Sequence, residues 1–144
     1  MIDFYDGNIY SLIEWIKTGK YKTEHAPEPY WSWVYERLPV KSNISHGIGK
    51  MNEQYPAKDN WSIPYPHVHT QSMKWDPQVF TVLTYLVAPE KGGEFALGGL
   101  SPDDTYQDIT IKPGLTIGHY ANIWHGVRPV LKGERFVLFT IAKP

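Results

Sequence analysis

Residues 77–88, "PQVFTVLTYLVA", form a nearly unbroken run of β-branched, aromatic and aliphatic side chains, closed by Pro77 on one side and Pro89 on the other. That composition suits a pleated strand. A run with so little polar alternation predicts a strand buried on both faces.

Toward the carboxyl terminus the same reading repeats. "EKGGEFALGG" (90–99), "DITIKPG" (108–114), "LTIGHYA" (115–121), "HGVRPVL" (125–131) and "RFVLFTIA" (135–142) are short strand-like segments bounded by Gly, Pro or Asn. Short strands at close, regular spacing predict a mainly β domain, and a small jelly-roll of the cupin type, the double-stranded β-helix, is the expected architecture. Toward the amino terminus, "NISHGIGKMNEQY" (43–55) alternates loosely and extends the β pattern. "DGNIYSLIEWIKTGKY" (6–21) differs. Its Ile9, Leu12, Ile13 and Ile16 recur at helical spacing, with Asp6 or Asn8 as N-cap and Gly19 as stop, so one N-terminal amphipathic helix is expected. "YWSWVYERL" (30–38) fits a helical turn or a short strand equally well.

The chain of 144 residues suits a single domain, residues 1–144, large enough to bury a core without staples. Its 14 Lys plus Arg against 15 Asp plus Glu give a net charge of -1, with no field to hold a nucleic-acid backbone or an anionic membrane. The absence of cysteine excludes disulfides, thiolate ligands and thiol nucleophiles. No run approaches membrane-spanning length and the first residues lack a signal-peptide pattern, so a cytoplasmic protein is the expectation. The oligomeric state is not legible.

Chemistry enters at "YPHVHTQ" (65–71), which places His67 and His69 two residues apart. In an extended strand both imidazoles point to one face and reach one metal ion; the ordinary alternative is a pair of half-exposed histidines on a strand edge. Farther on, "NIWHGVRPVLKGERFVLF" (122–139) carries His125 and, ten residues later, Arg135. Two antiparallel strands bring both toward one cavity.

Taken in order, "HVHT", "TVLTYL", "GGEF", "KPG" and "WHGVRPVLKGER" give this chain a pattern that resembles the Fe(II)- and 2-oxoglutarate-dependent dioxygenases, most closely their prolyl-hydroxylase-like branch. The resemblance runs from about Pro66 to Ala142. It implies a metal-dependent oxygenase that hydroxylates a small-molecule or peptide substrate. It implies iron(II), or another divalent transition metal, on His67, position 69 and His125, and 2-oxoglutarate as co-substrate. Arg135 would pair with the distal carboxylate of 2-oxoglutarate, and Tyr85 aligns with a tyrosine that in some members donates to the same group. A guanidinium fork suits that task because it binds carboxylate bidentately and keeps its charge when buried. Trp124, Arg128, Tyr120 and Trp75 are substrate-facing candidates by adjacency to the ligands.

The chain departs from the family at His69, where the family carries Asp or Glu. Three neutral imidazoles leave a divalent site at +2, where one carboxylate would leave +1. His69 is then a ligand of a three-histidine centre, or Asp76 or Glu94 supplies the carboxylate, or the original chemistry is lost. A second frame remains open. "PGLTIGHYAN" (113–122) loosely resembles a cupin motif, which would make the triad His67, His69 and His119 in a metalloenzyme that does not use 2-oxoglutarate. A catalytically inactive jelly-roll binding domain is the third reading. His25 and His46 fall outside both patterns and are expected at the surface.

Overall fold

A computed structural model describes residues 1–144. Its strands, in chain order, are β1 (Ile2–Phe4), β2 (Ser45–Asn52), β3 (Ala57–Lys58), β4 (Trp61–Ser62), β5 (Phe80–Val87) and β6 (Lys91–Gly92). They continue with β7 (Phe95–Leu97), β8 (Gln107–Ile109), β9 (Leu115–Tyr120), β10 (His125–Val127), β11 (Val130–Lys132) and β12 (Glu134–Ala142). The α-helices are α1 (Ile9–Lys17), α2 (Tyr30–Arg37) and the single turn α3 (His69–Ser72), and a 3-10 turn at Lys20–Lys22 follows α1. The protein is mainly β and its strand pairs are antiparallel.

The major sheet runs in the order β1-β9-β5-β12-β2, and a smaller one in the order β10-β7-β8. Strand β5 lies between β9 and β12, and, as the apolar run of residues 77–88 predicts, it is buried, all but its last residue. Period-two alternation then sorts its side chains. Phe80, Val82 and Leu86 pack with α1 and α2 through Leu12, Ile16, Tyr30 and Val34. Leu83 and Tyr85 face the other way, toward Phe95 of the small sheet and Ile117. Thr84 is the polar exception on the helix side, where its hydroxyl meets those of Tyr30 at 2.6 Å and Thr116 at 3.1 Å.

Helix α1 forms where its apolar spacing predicts, with Asn8 Oδ1 accepting from the Ser11 amide and Gly19 in the left-handed region just past its end. Leu12 and Ile16 are its buried stripe. Full burial of an aliphatic side chain of this size contributes about 1.5–3 kcal/mol. The ambiguous segment 30–38 is helical as far as Arg37, because Tyr30 and Val34, one turn apart, both reach the core.

Two strand expectations need correction. "HGVRPVL" is two strands, β10 and β11: the Arg128 amide still donates to Glu94 O in the register of β7, and Pro129, which offers no amide hydrogen, interrupts the ladder there. In "EKGGEFALGG" the short strand expected between the glycine pairs is β7, and the structure adds β6 before it, with Gly92 and Gly93 both at positive φ. A Cβ on Gly92 would stand 2.3 Å from Pro129 O, so only glycine permits the turn. The second correction matters most for chemistry. His67 and His69 do not share a strand: His67 makes an isolated bridge with His125, and the chain then turns into α3 at His69. The turn is fixed by two amides, of His69 and Thr70, that both donate to Ala121 O.

Candidate metal centre

One face of the major sheet and the small sheet enclose a cavity of about 400 Å³. His67, His69, His119, His125 and Arg135 all line it. Its remaining wall is largely apolar, and no aspartate or glutamate contributes to it.

His67 is held against His125 by reciprocal backbone hydrogen bonds, His67 N to His125 O at 2.9 Å and His125 N to His67 O at 3.1 Å. Their ring centroids are 4.5 Å apart. His69 arrives from the first residue of α3 with its centroid 5.3 Å from His67 and 4.7 Å from His125. The strand geometry expected to align His67 and His69 is absent, yet the helical turn brings the rings together. One nitrogen from each of His67, His69 and His125 lies within 4.8 Å of the others, close enough for small ring rotations to place all three about 2.0–2.1 Å from a single ion.

The hydrogen bonds around the rings suit metal ligation. His67 Nδ1 donates to Tyr65 O at 2.9 Å and His125 Nδ1 to Ile123 O at 3.0 Å. In a neutral imidazole this leaves Nε2 as the free lone pair and locks the ring orientation. His69 Nδ1 is buried with no hydrogen-bond partner, an orphaned donor atom beside two oriented imidazoles. The donor set therefore fits a divalent transition ion.

Burial pushes the His125 imidazole down to about 2, with the adjacent His119 adding to the effect. Burial likewise holds His69 and His119 at about 4. All three are neutral at neutral pH, the form that ligates. A depressed folded-state value carries a stability consequence. The unfolded chain takes up protons below its own value of about 6.5 while the folded imidazoles do not, so stability is complete above that pH and is lost as pH falls toward 4. We expect the urea midpoint of the metal-free protein to be flat above pH 7 and to drop between pH 6.5 and 4. The slope is at most about 1.4 kcal/mol per pH unit for each buried histidine, less for the half-buried His69. Equal midpoints at pH 7.5 and pH 5 would contradict it.

Arg135, on β12, is buried, lines the same cavity as these histidines and forms no ion pair with any carboxylate. Its Nε donates to Gly93 O at 3.0 Å and one Nη to the Tyr85 hydroxyl at 2.8 Å. Burial raises the Tyr85 phenol to about 12, against the opposing pull of Arg135, so it stays protonated. Tyr85 is itself fully buried and meets the cavity only through Arg135.

The other candidates divide. Trp75 lines the cavity with its ring edge-on to His69 at 5.1 Å. Trp124, Arg128 and Tyr120 are not among the lining residues. Arg128 is engaged elsewhere, stacked on Trp61 at 3.8 Å and bonded to Asp108 at 2.9 Å. Tyr120 packs edge-on against Phe80 at the partly exposed end of β9. Adjacency in sequence misleads here because neighbours on a strand face opposite sides. Asp76 and Glu94 also stay outside the cavity; Asp76 caps the Gln78 amide instead. His25 is exposed, as expected, but His46 is not: it is half-buried, its Nε2 accepting from Ala26 N and its Nδ1 paired with Thr140 Oγ1. Thr81, unnoticed in the sequence, lines the cavity, and its place two and four residues before Leu83 and Tyr85 was the available signal.

No family model and no curated protein matches the sequence. Solved structures do. An oxidoreductase of the 2OG-Fe(II) oxygenase family from Burkholderia pseudomallei aligns with 76% of this chain and 48% of its own, at 19% identity and a TM-score of 0.54. A prolyl-4-hydroxylase from Pseudomonas putida aligns with 74% of this chain and 54% of its own, at 15% identity and a TM-score of 0.52. EvdMO1 covers 98% of this chain and 45% of its own, at 16% identity and a TM-score of 0.54. The chain spans about half the length of these proteins, and the likeness is one of fold. No helix is long and apolar enough to cross a membrane.

Proposed function

We propose that residues 1–144 are a jelly-roll oxygenase domain that holds iron(II), or a related divalent ion, on His67, His69 and His125 and takes 2-oxoglutarate as co-substrate. The observation that carries this reading is the pairing, in one cavity, of three convergent imidazoles with a buried guanidinium that has no carboxylate partner. A buried charge without a counter-ion is costly, and a ligand carboxylate relieves the cost. The fold shared with 2OG-Fe(II) oxygenases supports the same assignment.

In this reading Arg135 binds the distal carboxylate, and Tyr85 and Gly93 O fix the guanidinium in place. The three imidazoles hold the ion, and the chemistry a bound iron(II) supplies is activation of dioxygen coupled to oxidative decarboxylation of 2-oxoglutarate. Phe95, Leu83, Phe139 and Val127 wall the site off from water. Tyr55, Ile63, Pro64, Met73 and Trp75 line the same cavity and carry more exposed surface, giving a small-molecule or peptide substrate an apolar approach.

The test follows succinate formed from 2-oxoglutarate under air with iron(II) supplied. The parent is expected to turn over, and His69→Asp to keep metal binding while restoring the carboxylate of the related enzymes. Failure of both proteins to bind iron and form succinate would refute the proposal. A second reading rests on His119, whose ring lies 4.3 Å from His125 in the same cavity. A three-histidine centre built on it would work without 2-oxoglutarate and would be indifferent to Arg135.

A further inference from the structure

Two polar side chains of the cavity take no part in the centre described above. Thr81 on β5 and His119 on β9 are directly opposed in the antiparallel register, so they are neighbours on the cavity face of the major sheet. The Thr81 hydroxyl is buried, with the residue 3% exposed, and has no hydrogen-bond partner. His119 donates from Nδ1 to Tyr120 O at 2.9 Å, which leaves Nε2 as an acceptor with no protein partner. Around them stand apolar groups, Phe95, Leu83 and Ile141. Buried polar groups in folded proteins are nearly always partnered by protein or ordered water, so these two open positions can take their bonds from a ligand.

We propose that Thr81 and His119 form a polar subsite for a neutral ligand group that accepts one hydrogen bond and donates another. Thr81 O–H donates to the group and His119 Nε2 accepts from it. Directly opposed residues on one face of an antiparallel pair have Cβ atoms about 4.5–5.5 Å apart, a span that one carboxamide or hydroxyl group bridges. A carboxylate has nothing to donate to Nε2, and an ammonium would be a buried charge among apolar groups with no carboxylate in the cavity to pair with it. The subsite thus selects an apolar substrate that carries an amide or alcohol. As the subsite of that substrate the assignment rests on the oxygenase reading, but the binding itself needs no metal.

Binding of three probes to the metal-free protein, kept in chelator and followed by protein NMR titration, separates the roles. Benzamide offers both an acceptor and a donor, acetophenone an acceptor only, and toluene neither. Thr81→Val should weaken benzamide and acetophenone about three- to tenfold, the range of one net hydrogen bond, and leave toluene unchanged. His119→Phe should weaken benzamide alone by a similar factor. Thr81→Ser should restore the parent affinities, which a merely structural role for the methyl group would not do. Unchanged benzamide affinity in both variants, or an equal loss for toluene, would overturn the proposal. Because no metal is present, that failure is distinct from a failure to bind iron or form succinate.

Discussion

His125→Ala is expected to lower the affinity for iron(II), nickel(II) or cobalt(II) by more than about a hundredfold, because even the partners that merely orient a metal ligand are worth 10–100-fold. His67→Ala and His69→Ala should behave alike, since each supplies one nitrogen to a cluster with no carboxylate to take its place. Anaerobic titration calorimetry, or the visible spectrum of the cobalt form, reads the loss directly. Two controls make the result specific. His25→Ala lies outside the cavity and should change nothing. His119→Phe should retain the ion if the centre is His67, His69 and His125, and should lose it if the cupin-like set holds instead. Parent affinity in the His69 variant alone would reduce the centre to two histidines and remove the explanation for the orphaned His69 Nδ1.

Arg135→Ala carries the second large effect. Removal of a buried, charge-assisted carboxylate contact should weaken 2-oxoglutarate binding to the metal-loaded protein on the order of a hundredfold, equivalent to a few kcal/mol. Arg135→Lys should recover part of that, since it keeps the charge and loses the planar fork. The same substitutions test a structural consequence. Arg135→Ala leaves Gly93 O and the Tyr85 hydroxyl without their partner, and a buried group deprived of its bond costs about 1–3 kcal/mol. Loss of the unpaired guanidinium offsets some of this, so the variant should melt earlier but still fold. Equal 2-oxoglutarate affinity in parent, Ala and Lys proteins would take Arg135 out of the site and leave the reading without 2-oxoglutarate in possession.

The apolar side chains were the most legible part of the chain. Helix α1 and the buried strands β5 and β12 follow from side-chain spacing, because burial on one stripe or on two faces writes its own period into the sequence. The short elements were less so. β6, β7, β10 and β11 are two or three residues long, too short to show a period, and the breaks between them depend on Gly92, Gly93 and Pro129 meeting across the fold.

For the site, the sequence by itself determined the chemical inventory: His67, His69, His125, Arg135 and Tyr85 as candidates, and the exclusion of any thiolate. Spacing along the chain also put His67 and His69 within reach of one another, though for the wrong reason, since α3 and not a strand delivers His69. Only the tertiary structure decided which side of each strand faces the cavity. That choice admitted His119 and Thr81, left out Trp124, Tyr120 and Arg128, and kept Asp76 and Glu94 away from the imidazoles. The physical reason is that alternation along a strand fixes which residues share a face. Which face looks inward is set by cross-strand register and by the layer packed against it, and both are made by residues distant in the chain.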